Sequence, residues 1–401
     1  MSTHKEHKEG SAQGQPRHAL TGQGNLEFVQ ALRGVAALMV VLLHILQQQA
    51  IPPNDKGIFN WLFGAGGAGV PLFFIISGFI MVYSTNRVTP NVSSAFSFIV
   101  KRALRIWPTY AILTVLFWVA VTLADRFVGA KFPYTISDVA QSIAFVPFKT
   151  NSAPAPLFAA PVLYPGWSLN YEMYFYALIA LSLLAGRYRW HMLFTVLAAT
   201  LIGLPLAHGH TPSIDIAEKY GYSSYLVLMA SPIIWEFAAG VAIGLLYLSP
   251  VRFNSRNIAI YLSCFSASVV IWVLLSKKAF WGMGMDGWGW SLTLMFLCLA
   301  IASKTVTLPA PKSLVWLGDI SYSLYLVHPL FLKPVFDIGW ETSYREAFRD
   351  PSFALVILAA AIGAAAVSRH FLEQRLSNFL RDLVLRRTGK SSGTAATAST
   401  V

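Results

Sequence analysis

The sequence predicts an all-α, polytopic integral membrane protein with about ten transmembrane helices and both termini in the cytoplasm. Three observations predict it. Of 401 residues, 55% are hydrophobic and only 12% charged, where a soluble domain carries roughly a quarter charged. Apolar runs recur along the chain, each near the roughly 20 residues that cross a bilayer as helix. Lysine and arginine concentrate in alternate connections, the pattern that places those connections in the cytoplasm.

The expected spans are 31–48, 62–84, 107–124, 166–186, 191–208, 225–248, 257–276, 289–303, 314–335 and 353–372. Before them, residues 1–25 are polar and rich in His, Gly and Gln, and read as a disordered cytoplasmic tail. No secretory signal precedes the first span. The stretch 136–162 is apolar in patches but broken by Pro147, Pro154, Pro156 and Pro161, and reads as a loop at the membrane surface. The membrane domain is expected over 26–375, and 376–401 reads as a basic, then low-complexity, cytoplasmic tail.

With the N-terminus inside, Lys5, Lys8 and Arg17 share a side with Arg87, Lys101, Arg102 and Arg105, and with the run from Arg375 to Lys390. The net charge of +12 is then explained by the anionic leaflet and cytosolic anions, with no nucleic acid partner. Cys264 and Cys298 both fall inside spans and imply neither a disulfide framework nor a metal site.

The second span opens with Gly64, Gly66 and Gly69, a literal G-x-G-x-x-G. A dinucleotide loop needs a preceding strand and an acid about 20 residues on. No Asp or Glu occurs between Asp55 and Asp125, and an apolar run, "VPLFFIISGFIMVY", follows directly. The glycines are those of a membrane helix that packs closely on its neighbours.

Charge inside a span costs about 2.5–3.5 kcal/mol at the helix centre on insertion scales and defaults to function. Arg33 and His44, in "LRGVAALMVVLLHI", are three helical turns apart on one face, roughly 16 Å. Glu172, Glu236 and His328 fall at similar depth in three later spans and suggest a shared polar cavity. Arg102 and Arg105 are neighbours on one helical face, and paired guanidiniums suit phosphate. A snorkelling arginine, a satisfied core histidine and an ordinary positive-inside cluster are the plainer readings of the same residues.

In combination these pieces resemble the membrane-bound acyltransferase-3 family across roughly 25–375. They are Arg33 with His44, "GAGGAGVPLFFIISGF", "KRALRIWP", "GWSLNYEMYFY", "EFAAGVAIG" and "LGDISYSLYLVHP", in the family's order. "PGWSLNYEMYFYAL" is similar to the branch that O-acetylates bacterial exopolysaccharides. The resemblance implies transfer of an acyl group, usually acetyl from acetyl-CoA, to a carbohydrate hydroxyl at the bacterial inner membrane. It implies a catalytic pair in Arg33 and His44, and donor-phosphate contacts from Arg102 and Arg105. Ser77, Glu172 and His328 stand in matching motifs. Lys101 replaces an arginine often found there, keeping the charge and losing the fork.

On this reading no metal or resident cofactor is needed, and acyl-CoA is a co-substrate. The partners are the bilayer, a carbohydrate acceptor that is free or lipid-linked, and polysaccharide-assembly proteins. His44 would remove the hydroxyl proton, with Glu172 or Glu236 orienting its ring, and the glycines of the second span would admit the pantetheine arm. A proton-coupled transporter, with the buried carboxylates and histidines as its relay, and a non-catalytic assembly partner are the alternatives.

Overall fold

The computed structural model describes residues 26–49, 63–129, 134–147, 161–218, 220–222, 225–276, 281–340 and 350–387, and every regular element among them is helical. The expected tails 1–25 and 388–401 lie outside the described residues, as do Pro154 and Pro156. The helices are α1 (Glu27–Gln48), α2 (Gly69–Thr85, entered by a 3₁₀ turn Gly66–Ala68), α3 (Val92–Val128), α4 (Ile136–Ile143) and α5 (Gly166–Leu184). Next comes α6 (Arg189–Ala198), which passes through a π-helical turn, Ala199–Gly203, into Leu204–Ala207. Then follow α7 (Tyr225–Met229), α8 (Ile234–Leu248), α9 (Arg256–Ser276) and α10 (Gly289–Ala302). The last are α11 (Lys312–Asp319), α12 (Ser321–Trp340) and α13 (Pro351–Ser368), which continues as a π-helical segment, Arg369–Leu376, into α14 (Ser377–Arg387).

Each expected span contains helix, but among the described residues six helical stretches are long and apolar enough to cross a membrane: Glu27–Gln48, Gly66–Thr85, Val92–Val128, Gly186–Ala207, Arg256–Ser276 and Ser352–Val384. The differences have local causes. The span expected at 107–124 begins at Val92, where Asn91 caps the helix by accepting from the Ser94 amide at 2.8 Å. The one expected at 225–248 is interrupted between α7 and α8, where Pro232 lies. The stretch 136–162 is not all loop. Thr135 and Asp138 form a reciprocal capping box that starts α4. Helix α14 occupies the start of the stretch read as a tail.

The bundle is organised by α2, whose small residues let two neighbours approach backbone to backbone. A Cβ at Gly66 or Gly69 would collide with the carbonyls of Met39 or Ala36 on α1. One at Gly78 would strike the Phe237 carbonyl on α8, and one at Gly240 would strike that of Ile75 in return. The close-packing expectation therefore holds for Gly66 and Gly69. At these glycines, where a pantetheine arm was expected to pass, the seams are filled by backbone. The third face of α2 carries Phe73, Phe74, Ser77, Ile80 and Met81, and it faces open space.

The contrast between seam and open glycines is testable. Gly240→Val should destabilise the detergent-solubilised protein by about 1–3 kcal/mol, the usual cost of overpacking. Gly363→Ala, where a Cβ meets nothing within 4 Å, should be neutral or stabilising, by up to about 1 kcal/mol. Thermal unfolding of the two variants reads both; equal melting temperatures would mean that the seam does not carry the packing.

Candidate functional site

The open face of α2, with α3, α5 and α12, encloses a cavity of about 130 Å³. Arg33, Arg102, Arg105, Ser77, Glu172 and Tyr176 supply its polar wall, with Ser168, Ser321, Tyr322 and Tyr325. The periodicity of the helices explains the grouping. Ser168, Glu172 and Tyr176 are four residues apart on α5 and share one face. Ser321, Tyr325 and His328 follow the same rule on α12.

Each ionic side chain has an internal partner. Arg33 donates from Nη1 to Gln30 Oε1 at 2.9 Å, and Gln30 donates onward to Asp319 at 2.8 Å. Arg102 donates to Ser84 Oγ at 3.1 Å and lies over the rings of Phe98 and Tyr176. Arg105 pairs with Glu373 at 3.7 Å. The Ser77 hydroxyl lies 3.0 Å from both carboxylate oxygens of Glu172, its acceptors. Lys101 is exposed and does not line the cavity.

His44 lies further along α1, outside the cavity wall. Its Nδ1 is 2.9 Å from Nε2 of His328, and the two rings stack with centroids 5.1 Å apart. Tyr164 packs edge-on against both rings. His328 is fully buried, and its own Nδ1 is 3.1 Å from the Leu324 carbonyl. A carbonyl only accepts, so that Nδ1 carries hydrogen. In a neutral ring Nε2 of His328 then accepts, and His44 Nδ1 donates to it. The lone pair of His44 is thereby placed on Nε2, which no described residue bonds.

Tyr325 joins the two regions. Its hydroxyl is 2.9 Å from Ser168 Oγ at the cavity wall, and its ring centroid lies 6.2 Å from that of His328. Thus Arg33, Arg102, Arg105, Ser77 and Glu172 come together, and His44 and His328 form a second group beside them. Glu236 belongs to neither. It is fully buried on α8, with neither oxygen hydrogen-bonded among the described residues, and sits against Gly289. The residue bonded to the His44 ring among the described residues is His328, where Glu172 or Glu236 was expected. The single polar cavity expected for Ser77, Glu236 and His328 separates into three places. Ser168, Tyr176 and Tyr325 were missed, although their spacing from Glu172 and His328 carries the signal.

Comparison with known proteins gives one family and two relatives. The family model described as "Acyltransferase domain" matches residues 26–370. The chain is 32% identical over 310 residues to the exopolysaccharide production protein ExoZ of Rhizobium meliloti (strain 1021), covering 76% of this chain and 88% of that one. It is 27% identical over 384 residues to nodulation protein 10 of Rhizobium leguminosarum bv. viciae, covering 89% and 94%. No solved structure matches the chain.

Water should reach the cavity and not Glu236. In a background without Cys264 and Cys298, Ser77→Cys should react with a small charged thiol reagent in intact membranes, and Glu236→Cys should not. Equal labelling would show that the cavity is not the aqueous route.

Proposed function

The chain belongs to the acyltransferase-3 family, and from that premise we propose that it moves an acetyl group from cytosolic acetyl-CoA to a hydroxyl of a bacterial surface carbohydrate. The acceptor class follows the name of the ExoZ relative: an exopolysaccharide or its lipid-linked repeat unit, modified at the inner membrane. Polysaccharide-assembly proteins are the partners this setting implies. The observation that carries the reading is the placement of three guanidiniums on one cavity, with a base-ready imidazole further along the helix of Arg33.

The arginine end of the bundle faces the cytosol in this reading. Arg102 and Arg105 meet the phosphates of the donor in forked hydrogen bonds, and Arg33 holds charge deeper in. Eleven residues of α1 separate Arg33 from His44, roughly 16 Å, a length comparable to an extended pantetheine arm. The thioester then arrives beside Ser168, Tyr325 and the histidine pair. Nε2 of His44 accepts the proton of the acceptor hydroxyl as its oxygen attacks the thioester carbonyl. The C–S bond breaks, and the imidazolium returns the proton to the departing sulfur, giving the ester and free CoA. His328 acts through His44 as a positioning residue, accepting from its Nδ1–H and so holding the basic nitrogen on the free side. Glu172 offsets part of the guanidinium charge and fixes Ser77. With family membership shown, the transporter alternative gives way.

Three substitutions test this on protein confirmed as folded in the membrane. His44→Ala should lower kcat by about 10²–10⁴-fold. His328→Ala should lower it less, by about 10–10²-fold, and His328→Gln, which can still accept from His44, should recover part of the loss. Arg102→Ala with Arg105→Ala should raise KM for acetyl-CoA at least about tenfold with a smaller effect on kcat. O-acetyl transfer to isolated polysaccharide, followed by NMR, is the measurement. Full activity in His44→Ala overturns the base assignment, and an unchanged KM returns the arginines to topology.

A further inference from the structure

Beyond the residues matched to the family, the chain sends one carboxylate back to the arginine cavity. Glu373 lies in the π-helical segment Arg369–Leu376, where the Ser377 hydroxyl donates to the Leu372 carbonyl at 3.1 Å. Such segments concentrate at functional positions. The Glu373 side chain is only 8% exposed and uses both oxygens: Oε1 faces Arg105 Nη2 at 3.7 Å, and Oε2 accepts from Ser323 Oγ at 3.1 Å. The same segment reaches the cavity by a second line. Arg369 pairs with Asp319 at 3.2 Å, Gln30 donates to that carboxylate at 2.8 Å, and Arg33 donates to Gln30.

Glu373 therefore stands where an anion bound to Arg105 would stand. Three guanidiniums share the cavity, and the only carboxylate in its wall among the described residues is Glu172, held by Ser77. Without a further anion the empty site would hold guanidinium charge in partial burial with too little to balance it, an unfavourable state.

We propose that Glu373 is the built-in counter-anion of the donor site: it occupies Arg105 while the site is empty and yields that guanidinium to a phosphate group of the acyl donor. The proposal rests on the reading of Arg105 as a donor-phosphate contact. In exchange, the carboxylate keeps its Ser323 bond and repels the phosphate that displaced it. Glu373 thus lowers affinity for the donor and for the CoA product alike, and sets how readily the spent carrier leaves. Glu373 is buried but the Arg105 side chain is 38% exposed, so the effect is moderate, because screening reduces exposed ion pairs.

The test uses the full chain in nanodiscs, with coenzyme A itself as the calorimetric ligand, so no acceptor is required. Glu373→Gln keeps the shape and the Ser323 contact and removes the charge. It should tighten CoA binding by about three- to tenfold and lower the KM for acetyl-CoA in parallel, and the gain should vanish when Arg105→Ala is added. Binding that is unchanged or weakened in Glu373→Gln, or a gain that persists without Arg105, overturns the proposal. Glu373→Asp, which shortens the reach and keeps the charge, should stay close to wild type in expression and melting temperature, and tightening there equal to that of Glu373→Gln also counts against it. If Arg105→Ala alone leaves CoA affinity unchanged, the donor-site reading falls and this one with it. A normal Arg105→Ala response beside a silent Glu373→Gln removes only the counter-anion.

Discussion

Everything in this bundle depends on how closely the backbone of α2 lies against α1 and α8. Lipid provides no hydrophobic drive between helices, so association relies on van der Waals contact, which small residues maximise. Gly66 and Gly69 meet the carbonyls of α1, and Gly78 and Gly240 interlock α2 with α8. Two faces of α2 are spent on these seams. The third is left to carry Ser77 between apolar neighbours, against Glu172 on α5 and in one cavity with Arg33 of α1. A charged wall is tolerable in a membrane bundle where it lines a cavity between packed helices.

The split between arginine and histidine groups has an electrostatic logic. A buried carboxylate left without a partner is expensive, and Glu172 is placed where guanidiniums and hydroxyls already stand. At the other end the partner of His44 is a second imidazole. Two neutral rings can satisfy each other with one proton between them, leaving no net charge to solvate. The Leu324 carbonyl fixes the direction of that hydrogen bond, so an apolar surrounding still produces one nitrogen with a directed lone pair. Tyr325, bonded to Ser168 and lying against His328, joins the two regimes without charge.

Much of this was legible in the residues. The all-helical class followed from the apolar runs, and the packing role of the glycines from the missing acid after them. The shared face of Arg33 and His44 followed from their spacing. The partner of His44 was not legible, because depth along a span does not say which helices are neighbours: Glu236 lies on α8 at a plausible depth and faces Gly289 instead. Interrupted spans were also hidden, since hydropathy averages over breaks such as that between α7 and α8. The capped start of α3 at Asn91 escaped because polar residues there read as connection. Glu373 escaped as well, lying in a basic segment where a single acid looks like a surface charge.

None of the three cavity guanidiniums is bare, and this shapes what the cavity does. Arg33 rests on Gln30, Arg102 on Ser84 and Arg105 on Glu373 at a longer distance. Each partner is weaker than a phosphate in forked contact with arginine, since charge-assisted bidentate pairs are the strong ones. Each is nevertheless enough to hold its side chain near the geometry an anion needs, so that less rotamer freedom is lost on binding. An arginine cluster with strong internal acids would refuse its ligand, and one with none would collapse or recruit stray anions. For the proposed donor site, graded, replaceable partners avoid both outcomes: the guanidiniums are held in place and still free to exchange.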